Sequence, residues 1–216
     1  MAALAPAAGL RERHKHQRRE RILDATRELL REFPNETPTV ERIAELADVS
    51  PATVFNLVGP REQQWAGIAD ALLRELDARL ALTADEDPRE RARRIAGEAV
   101  ELFIADSAVS RHLVNSWGRS GTLMRENPIP HLRAAIRQGQ KLGMLRPDLN
   151  IGALAGHIAT AGGGALRQWA AGQIGDDAFR ARVRFAVDVV FAAAASEGWA
   201  ATLDAPLTRT KHRGSK

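Results

Sequence analysis

The chain contains no cysteine and no tyrosine, and aromatic residues make up only 5% of it. Without cysteine there is no disulfide scaffold, no thiolate metal site and no thiol nucleophile, which fits a reducing, cytoplasmic setting. No run of eighteen apolar residues occurs, so no transmembrane helix and no membrane partner are expected. The opening MAALAPAAGLRERHKHQ lacks the charged-then-apolar order of a signal peptide, and residues 1–10 read as a disordered leader. Catalytic signatures are missing as well: there is no glycine-rich phosphate loop, no H-E-x-x-H and no G-x-S-x-G. The histidines (His14, His16, His112, His131, His157, His212) have no metal-ligand spacing. A site assembled by the fold from His112, His131 and distant acids is the metal arrangement that spacing leaves open. The expectation is a protein that is not an enzyme and carries no cofactor or metal.

What is present favours helix. Alanine, leucine and arginine dominate the 216 residues, and 44% are hydrophobic, enough for a real core. The net charge of +4 hides a segregation. Residues 11–21 hold Arg11, Arg13, Lys15, Arg18, Arg19 and Arg21 against Glu12 and Glu20, a net of +4. The tail 207–216 adds Arg209, Lys211, Arg213 and Lys216 with no acid, another +4, which leaves −4 for the remainder. Positive charge gathered at two ends suits a polyanionic partner; for the tail, a flexible solvated segment (201–216) is the plainer reading.

Residues 37–62, TPTVERIAELADVSPATVFNLVGPRE, form the most informative stretch. In front of it, Ile22, Leu23, Thr26, Leu29, Leu30 and Phe33 recur at helical spacing, giving an amphipathic helix over 13–33 that Pro34 and Asn35 end. Thr37 or Thr39 can cap a helix over 40–47, with Pro38 tolerable only in a first turn. Asp48 and Val49 make a turn. Ser50 then caps a second helix with Pro51 at its first position, and Gly59-Pro60 punctuates its end. Two short helices joined this tightly fit a helix-turn-helix. The crossing needs a small residue midway along the first helix, which Ala44 supplies. The turn needs a left-handed residue, a role Asp48 takes at some cost. Val49 and Val54 point inward, leaving Pro51, Ala52, Thr53, Phe55 and Asn56 facing out, where small and hydrogen-bonding groups suit base edges and phosphates.

Residues 18–65 resemble the N-terminal domain of the tetracycline-repressor (TetR) family of transcriptional regulators. The resemblance is carried by Ile22, Ala25, Leu29 and Phe33, then Thr39-Val40, Ile43-Ala44, Ala47, Val49-Ser50, Ala52-Thr53-Val54-Phe55 and Arg61-Glu62. The family pattern there is T-V-x-x-I-A-x-x-A-G-V-S-x-G-T-L-Y-x-H-F-x-S-K-E. This chain departs from it at several places. Asp48 and Ala52 replace glycines. Phe55 replaces a tyrosine that commonly bonds a phosphate. Leu57-Val58 replaces His-Phe, and Arg61 replaces lysine. Two polar backbone contacts are therefore lost; either the basic front segment compensates or DNA binding is weaker than usual. The resemblance implies phosphate contacts from Thr39, Thr53 and Arg61, and base-facing roles for Pro51, Ala52, Phe55 and Asn56, with Ser50 as the cap beside them. Asn56 suits a bidentate pair with adenine and Phe55 a thymine methyl, the alternative for Phe55 being a plain core residue. Arg18, within the basic segment 11–19, is expected to reach the backbone or minor groove.

Behind this unit the sequence is helical: 60–82, 89–106, 109–126 (broken near Gly118–Gly121), a helix after Pro130, then 150–172 and 176–197. The last two are alanine-rich with apolar faces larger than one small bundle needs, so a four-helix dimer interface is the expected sink. Gly162-Gly163-Gly164 reads either as close helix contact or as a kink. Any small-molecule pocket is expected among residues 65–145, with Trp65, Phe103, Trp117, Met124 and His131 as linings, ordinary core packing being the alternative for each. Few buried charges are evident there, which points to an apolar or amphiphilic ligand. The expected fold class is thus all-α: an N-terminal three-helix DNA-binding domain with helix-turn-helix (11–62) and a C-terminal helical ligand-binding and dimerisation domain (63–200). The expected function is a homodimeric regulator of a pseudo-palindromic double-stranded DNA operator, released by a small-molecule effector. The rivals are a helical ligand-binding or interaction module with a weakened DNA-binding unit, and an all-helical enzyme without a catalytic motif.

Overall fold

The computed structural model describes residues 5–80, 87–117 and 128–201. Ten α-helices form among the described residues. In order they are α1 (Ala5–Glu32), α2 (Val40–Leu46), α3 (Pro51–Val58), α4 (Arg61–Leu80), α5 (Pro88–Ala105), α6 (Ser107–Trp117), α7 (Ile129–Lys141), α8 (Ile151–Ala170), α9 (Asp176–Ala194) and α10 (Glu197–Ala200). No strand forms among the described residues; one isolated antiparallel bridge joins Leu145 to Ala195. The all-α expectation holds. The described helices are too short or too polar to cross a membrane.

The chain divides into two compact units, Met1–Asp77 with Phe103–Leu123, and Ala78–Leu102 with Met124–Lys216. The division falls inside α4 and α5, not at residue 62 as expected. The reason is in the core of the first unit. Ile22, Leu23, Leu29 and Leu30 of α1, Ile43 and Ala44 of α2, and Val54 and Val58 of α3 bury one continuous surface. These three helices alone do not cover it. Trp65 and Ile68 of α4 and Val109 and Leu113 of α6 belong to the same cluster. Arg31 of α1 holds Asp106, just before α6, through a two-pronged contact with its shortest arm at 2.6 Å.

The front of the chain also differs from expectation. α1 begins at Ala5, so residues 5–10 are its first turns rather than a disordered leader. Pro6 sits in that first turn, where its missing N–H costs no hydrogen bond. The basic segment is consequently helical throughout. It is about 10–12 Å wide with its side chains, against about 6 Å for a minor groove, so the helix body is too wide to lie in one.

In the second unit, α7, α8 and α9 pack in sequence. Leu132, Ile136, Ile158, Leu166, Trp169, Phe179, Val187 and Phe191 are fully buried. Trp169 stacks on Phe179 at 5.4 Å between ring centres, and its indole N–H donates to Asp176 at 2.7 Å. The loop after α7 is tied down from two sides. Arg146 N–H donates to the Ala194 carbonyl and Ser196 N–H to the Met144 carbonyl, both at 2.9 Å. A small α10, capped by Ser196, was not anticipated. Expected helical residues 118–126, with Met124, lie outside the described residues, as do 81 and 82 at the end of the expected helix 60–82.

One buried acid joins α5 to α9. Asp188, 10% exposed at its side chain, accepts from Arg89 at 3.1 Å and from Arg93 at 2.7 Å. The bond to Asp188 holds the Arg93 guanidinium above its ordinary pKa. Removing a shared buried acid strands its partners, and Arg93 would retain only Glu90. Asp188→Ala is expected to destabilise the chain by about 2–3 kcal/mol, read as a lower urea midpoint at unchanged slope.

Candidate nucleic-acid interface

The helix-turn-helix is built by local rules that the sequence states openly. Thr39 is the cap of α2: its Oγ1 accepts from Arg42 N–H at 3.3 Å, while Pro38 is buried behind it. Ala44, 2% exposed, lets the helices cross closely. α2 then ends on a Schellman motif. Val49 N–H donates to the Ala44 carbonyl at 3.0 Å and Asp48 N–H to the Glu45 carbonyl at 3.2 Å. Closing this motif needs a left-handed residue, and Asp48 takes it with φ of 52°. The expected turn geometry is therefore present, with aspartate where glycine fits without strain.

Ser50 starts α3. Its Oγ accepts from Thr53 N–H at 3.2 Å and shares a 2.8 Å hydrogen bond with Thr53 Oγ1. Thr53 is thus half-buried and already partnered, although its hydroxyl keeps acceptor capacity. Val54 and Val58 are buried on one side of α3. Successive helical residues are about 100° apart, so Ala52, Phe55 and Asn56 share the opposite side, while Pro51 stands at the first position of α3. All four are exposed. Phe55 is 53% exposed, which rules out the core alternative for it. Leu46 of α2, 44% exposed, is a second bare apolar side chain on this unit that the sequence did not single out. At Gly59 the backbone turns left-handed, and Pro60 opens α4. Arg61 is exposed at the first position of α4.

The basic residues of α1 fall into two groups. Arg18 is exposed, as expected, with its Nε donating to the His14 carbonyl at 3.4 Å. Arg19 is different: it turns inward and donates to the Leu57 carbonyl of α3 at 3.2 Å. It is therefore not part of a DNA-facing arm, a point its place in a basic run conceals.

No protein-family model and no curated protein sequence matches the chain. Solved structures do. A TetR transcriptional regulator from Rhodococcus sp. RHA1 aligns with a TM-score of 0.61 at 14% identity, over 81% of this chain and 96% of its own. PfmR, a TetR family transcriptional regulator from Thermus thermophilus, aligns with a TM-score of 0.54 at 20% identity, over 80% and 95%. RolR, solved in complex with resorcinol, aligns with a TM-score of 0.58 at 20% identity, over 82% and 95%. The fold is the TetR-family fold.

Of the candidate pocket residues, Trp65, Phe103 and Trp117 belong to the first unit of this TetR-family fold and His131 to the second. Trp65 is 5% exposed in the core of the first unit, its ring 4.9 Å from that of His112. Burial and the nearby positive charge of Arg61 push His112 below its ordinary pKa, so it is a neutral core partner near neutrality. Phe103 is half-buried in the same unit, and His131 is half-buried in the second. Trp117 is the last residue of α6, and Met124 lies outside the described residues. Two described cavities have other linings. One, of about 410 Å³, lies between α1 and α4, lined by His16, Arg19, Glu20, Gly67, Asp70 and Arg74 among others. The second, of about 580 Å³, is a groove on α8 and α9. No cluster of three or more metal-binding side chains occurs among the described residues.

The strained turn gives a direct test. Asp48→Gly removes a Cβ from a left-handed position and is expected to stabilise the chain by about 0.5–1 kcal/mol. In a thermal melt this would appear as a rise of about 2–4 °C per kcal/mol for a chain of this size.

Proposed function

We propose that the protein is a DNA-binding transcriptional regulator that reads a pseudo-palindromic operator as a homodimer. The observation that carries the reading is the face of α3. Ala52, Phe55 and Asn56 stand exposed on one side of a short, doubly capped helix, with Pro51 exposed at its start, and its other side is locked by Val54 and Val58. A helix held this way can enter a major groove about 12 Å wide. Asn56 offers the bidentate amide that suits adenine, and Phe55 an apolar ring for a thymine methyl. Thr39, Ser50, Thr53 and Arg61 at the starts of α2, α3 and α4, with Arg18 on α1, supply donors and charge for phosphates.

Dimerisation is assigned to α8 and α9. The groove on these helices is lined by Thr160, Ala161, Gly164, Phe185, Val189 and Val190, among others. Phe185 is 53% exposed and Val189 37%. A Cβ on Gly164 would meet nothing within 4 Å, and one on Gly162 would only reach ordinary contact with Val183 at 4.0 Å. Packing within one chain therefore gives no reason for these glycines, whereas close approach of a second copy does. The repressor role and release by a small apolar or amphiphilic effector complete the reading. An effector lowers operator affinity if it binds better to a dimer whose two recognition helices are wrongly spaced. RolR, of the same fold, was solved with resorcinol. The exposed Leu46 and Phe55 favour a second reading, in which this surface docks a protein and the DNA-binding unit is weakened.

Selection of duplexes from random-sequence DNA, followed by gel-shift titration, separates the two. A recovered two-fold motif bound with strong salt dependence supports the regulator; no enrichment at any salt supports the docking module. Arg61→Ala is expected to weaken selected and scrambled duplexes alike and to lower the salt slope by about 1; loss of discrimination at one base pair would contradict its phosphate role. Phe185→Glu is expected to convert the dimer to monomer in analytical ultracentrifugation and to abolish binding to the two-fold site while sparing helix content.

A further inference from the structure

We propose that Arg19 is a positioning residue that caps the C-terminus of α3 from α1, and that Gly67 of α4 exists as glycine to let it pass. The consequence for DNA rests on the regulator reading above, while the clamp itself does not. The last carbonyls of a helix have no partner inside it, and they carry the negative end of the helix dipole. α3 is only eight residues long, so this end is half of the element. Beyond it the chain cannot help: Gly59 turns left-handed and Pro60 has no N–H to give. Gly59 N–H satisfies the Phe55 carbonyl at 2.9 Å. The Leu57 carbonyl is satisfied by Arg19 Nη1 at 3.2 Å, across 38 residues of sequence and partly shielded from water. A guanidinium here combines a charge-assisted hydrogen bond with a cation at a helix C-terminus.

Gly67 explains how the side chain gets there. It is buried in the interior of α4, where alanine would be the better helix former. A Cβ at this position would stand 3.1 Å from Arg19 Nη2 and 3.4 Å from both Leu23 methyls. Glycine thus keeps open the path by which Arg19 crosses α4 to reach α3. The cavity of about 410 Å³ beside it, lined by His16, Glu20, Asp70 and Arg74, gives a displaced guanidinium somewhere to go. A Gly67→Ala chain is therefore expected to fold with the Arg19 guanidinium displaced by a few tenths of an ångström, which lengthens and weakens its 3.2 Å bond to Leu57. The recognition face and the clamp sit at the same end of α3: Phe55 and Asn56 immediately precede Leu57. Loosening this end changes where base-reading side chains sit without removing any of them.

The test uses the full chain as wild type, Arg19→Ala, Gly67→Ala, the double variant and Arg18→Ala. Amide hydrogen exchange of residues 55–59 is measured on the free protein. Faster exchange is expected in Arg19→Ala and Gly67→Ala, and none in Arg18→Ala. The double variant should match Arg19→Ala alone, because the alanine methyl then has nothing to displace. Binding is measured by salt titration on the duplex selected by the wild type and on a scrambled duplex of equal length. For Arg19→Ala a loss of about tenfold is expected on the selected duplex, the size of one charge-assisted hydrogen bond, with the scrambled duplex and the salt slope unchanged. Equal losses on both duplexes with the slope reduced by about 1 would make Arg19 a phosphate contact and overturn the proposal. Unchanged exchange at 55–59 would overturn it as well, whatever the DNA result. If the wild type selects no duplex, the regulator reading falls, and the exchange measurements still decide the clamp.

Discussion

The structure depends on one constraint: α3 must bury one side to present the other. Eight residues are too few to hold a helix in water, since isolated helices shorter than about 12–15 residues are marginal. α3 survives because Val54 and Val58 are sealed into a core shared by α1, α2, α4 and α6. Hydrophobic burial supplies the stability, and the caps supply the direction. Ser50 fixes where the helix starts; Gly59 and Arg19 fix where it ends. Everything exposed on α3 is exposed because its opposite face is not. The first unit therefore has to extend well beyond residue 62, for a three-helix head would leave Trp65, Ile68, Val109 and Leu113 without the surface they cover.

Strain and polarity are spent in few places. Asp48 holds a left-handed turn, and the Schellman bonds around it satisfy the carbonyls that would otherwise be orphaned. Asp188 is the one buried acid of the described second unit and is shared by two arginines of α5. Both are small polar devices inside apolar surroundings, and both set the orientation of one helix against another. The outer surface of α8 and α9 is the reverse case, an apolar face with glycines that intrachain packing does not call for. That pairing of bare hydrophobics and small residues is what a helix-on-helix contact between copies requires.

Much of the helix-turn-helix was legible in advance. Thr39 and Ser50 as caps, Pro51 at the first turn, Ala44 at the crossing and Asp48 at the turn all follow from backbone chemistry within four or five residues. Local signals of this kind survive folding because they act over the same distances in the unfolded chain. The exposure of Ala52, Phe55 and Asn56 on α3 follows from helical periodicity once Val54 and Val58 are placed inside. What was not legible involves partners far apart in sequence. Arg19 sits in a run of arginines and looks like its neighbours; only the fold brings the Leu57 carbonyl to it. Trp65 looks like a pocket lining until Val109 and Leu113 close over it. Residues 5–10 look like a tail until they prove continuous with α1.

The sequence by itself determined the class of the fold, the order of the helices, the register of the helix-turn-helix and the four side chains facing out from α3. It could do so because period, caps and turn residues are short-range properties. Only the tertiary structure decided which arginine faces solvent and which is a clamp, where the first unit ends, and that Trp65 lies in the core of that unit. These are outcomes of packing. They depend on which surfaces meet after the chain has closed over distances of tens of residues, and no local pattern encodes which carbonyl a long, flexible guanidinium will find.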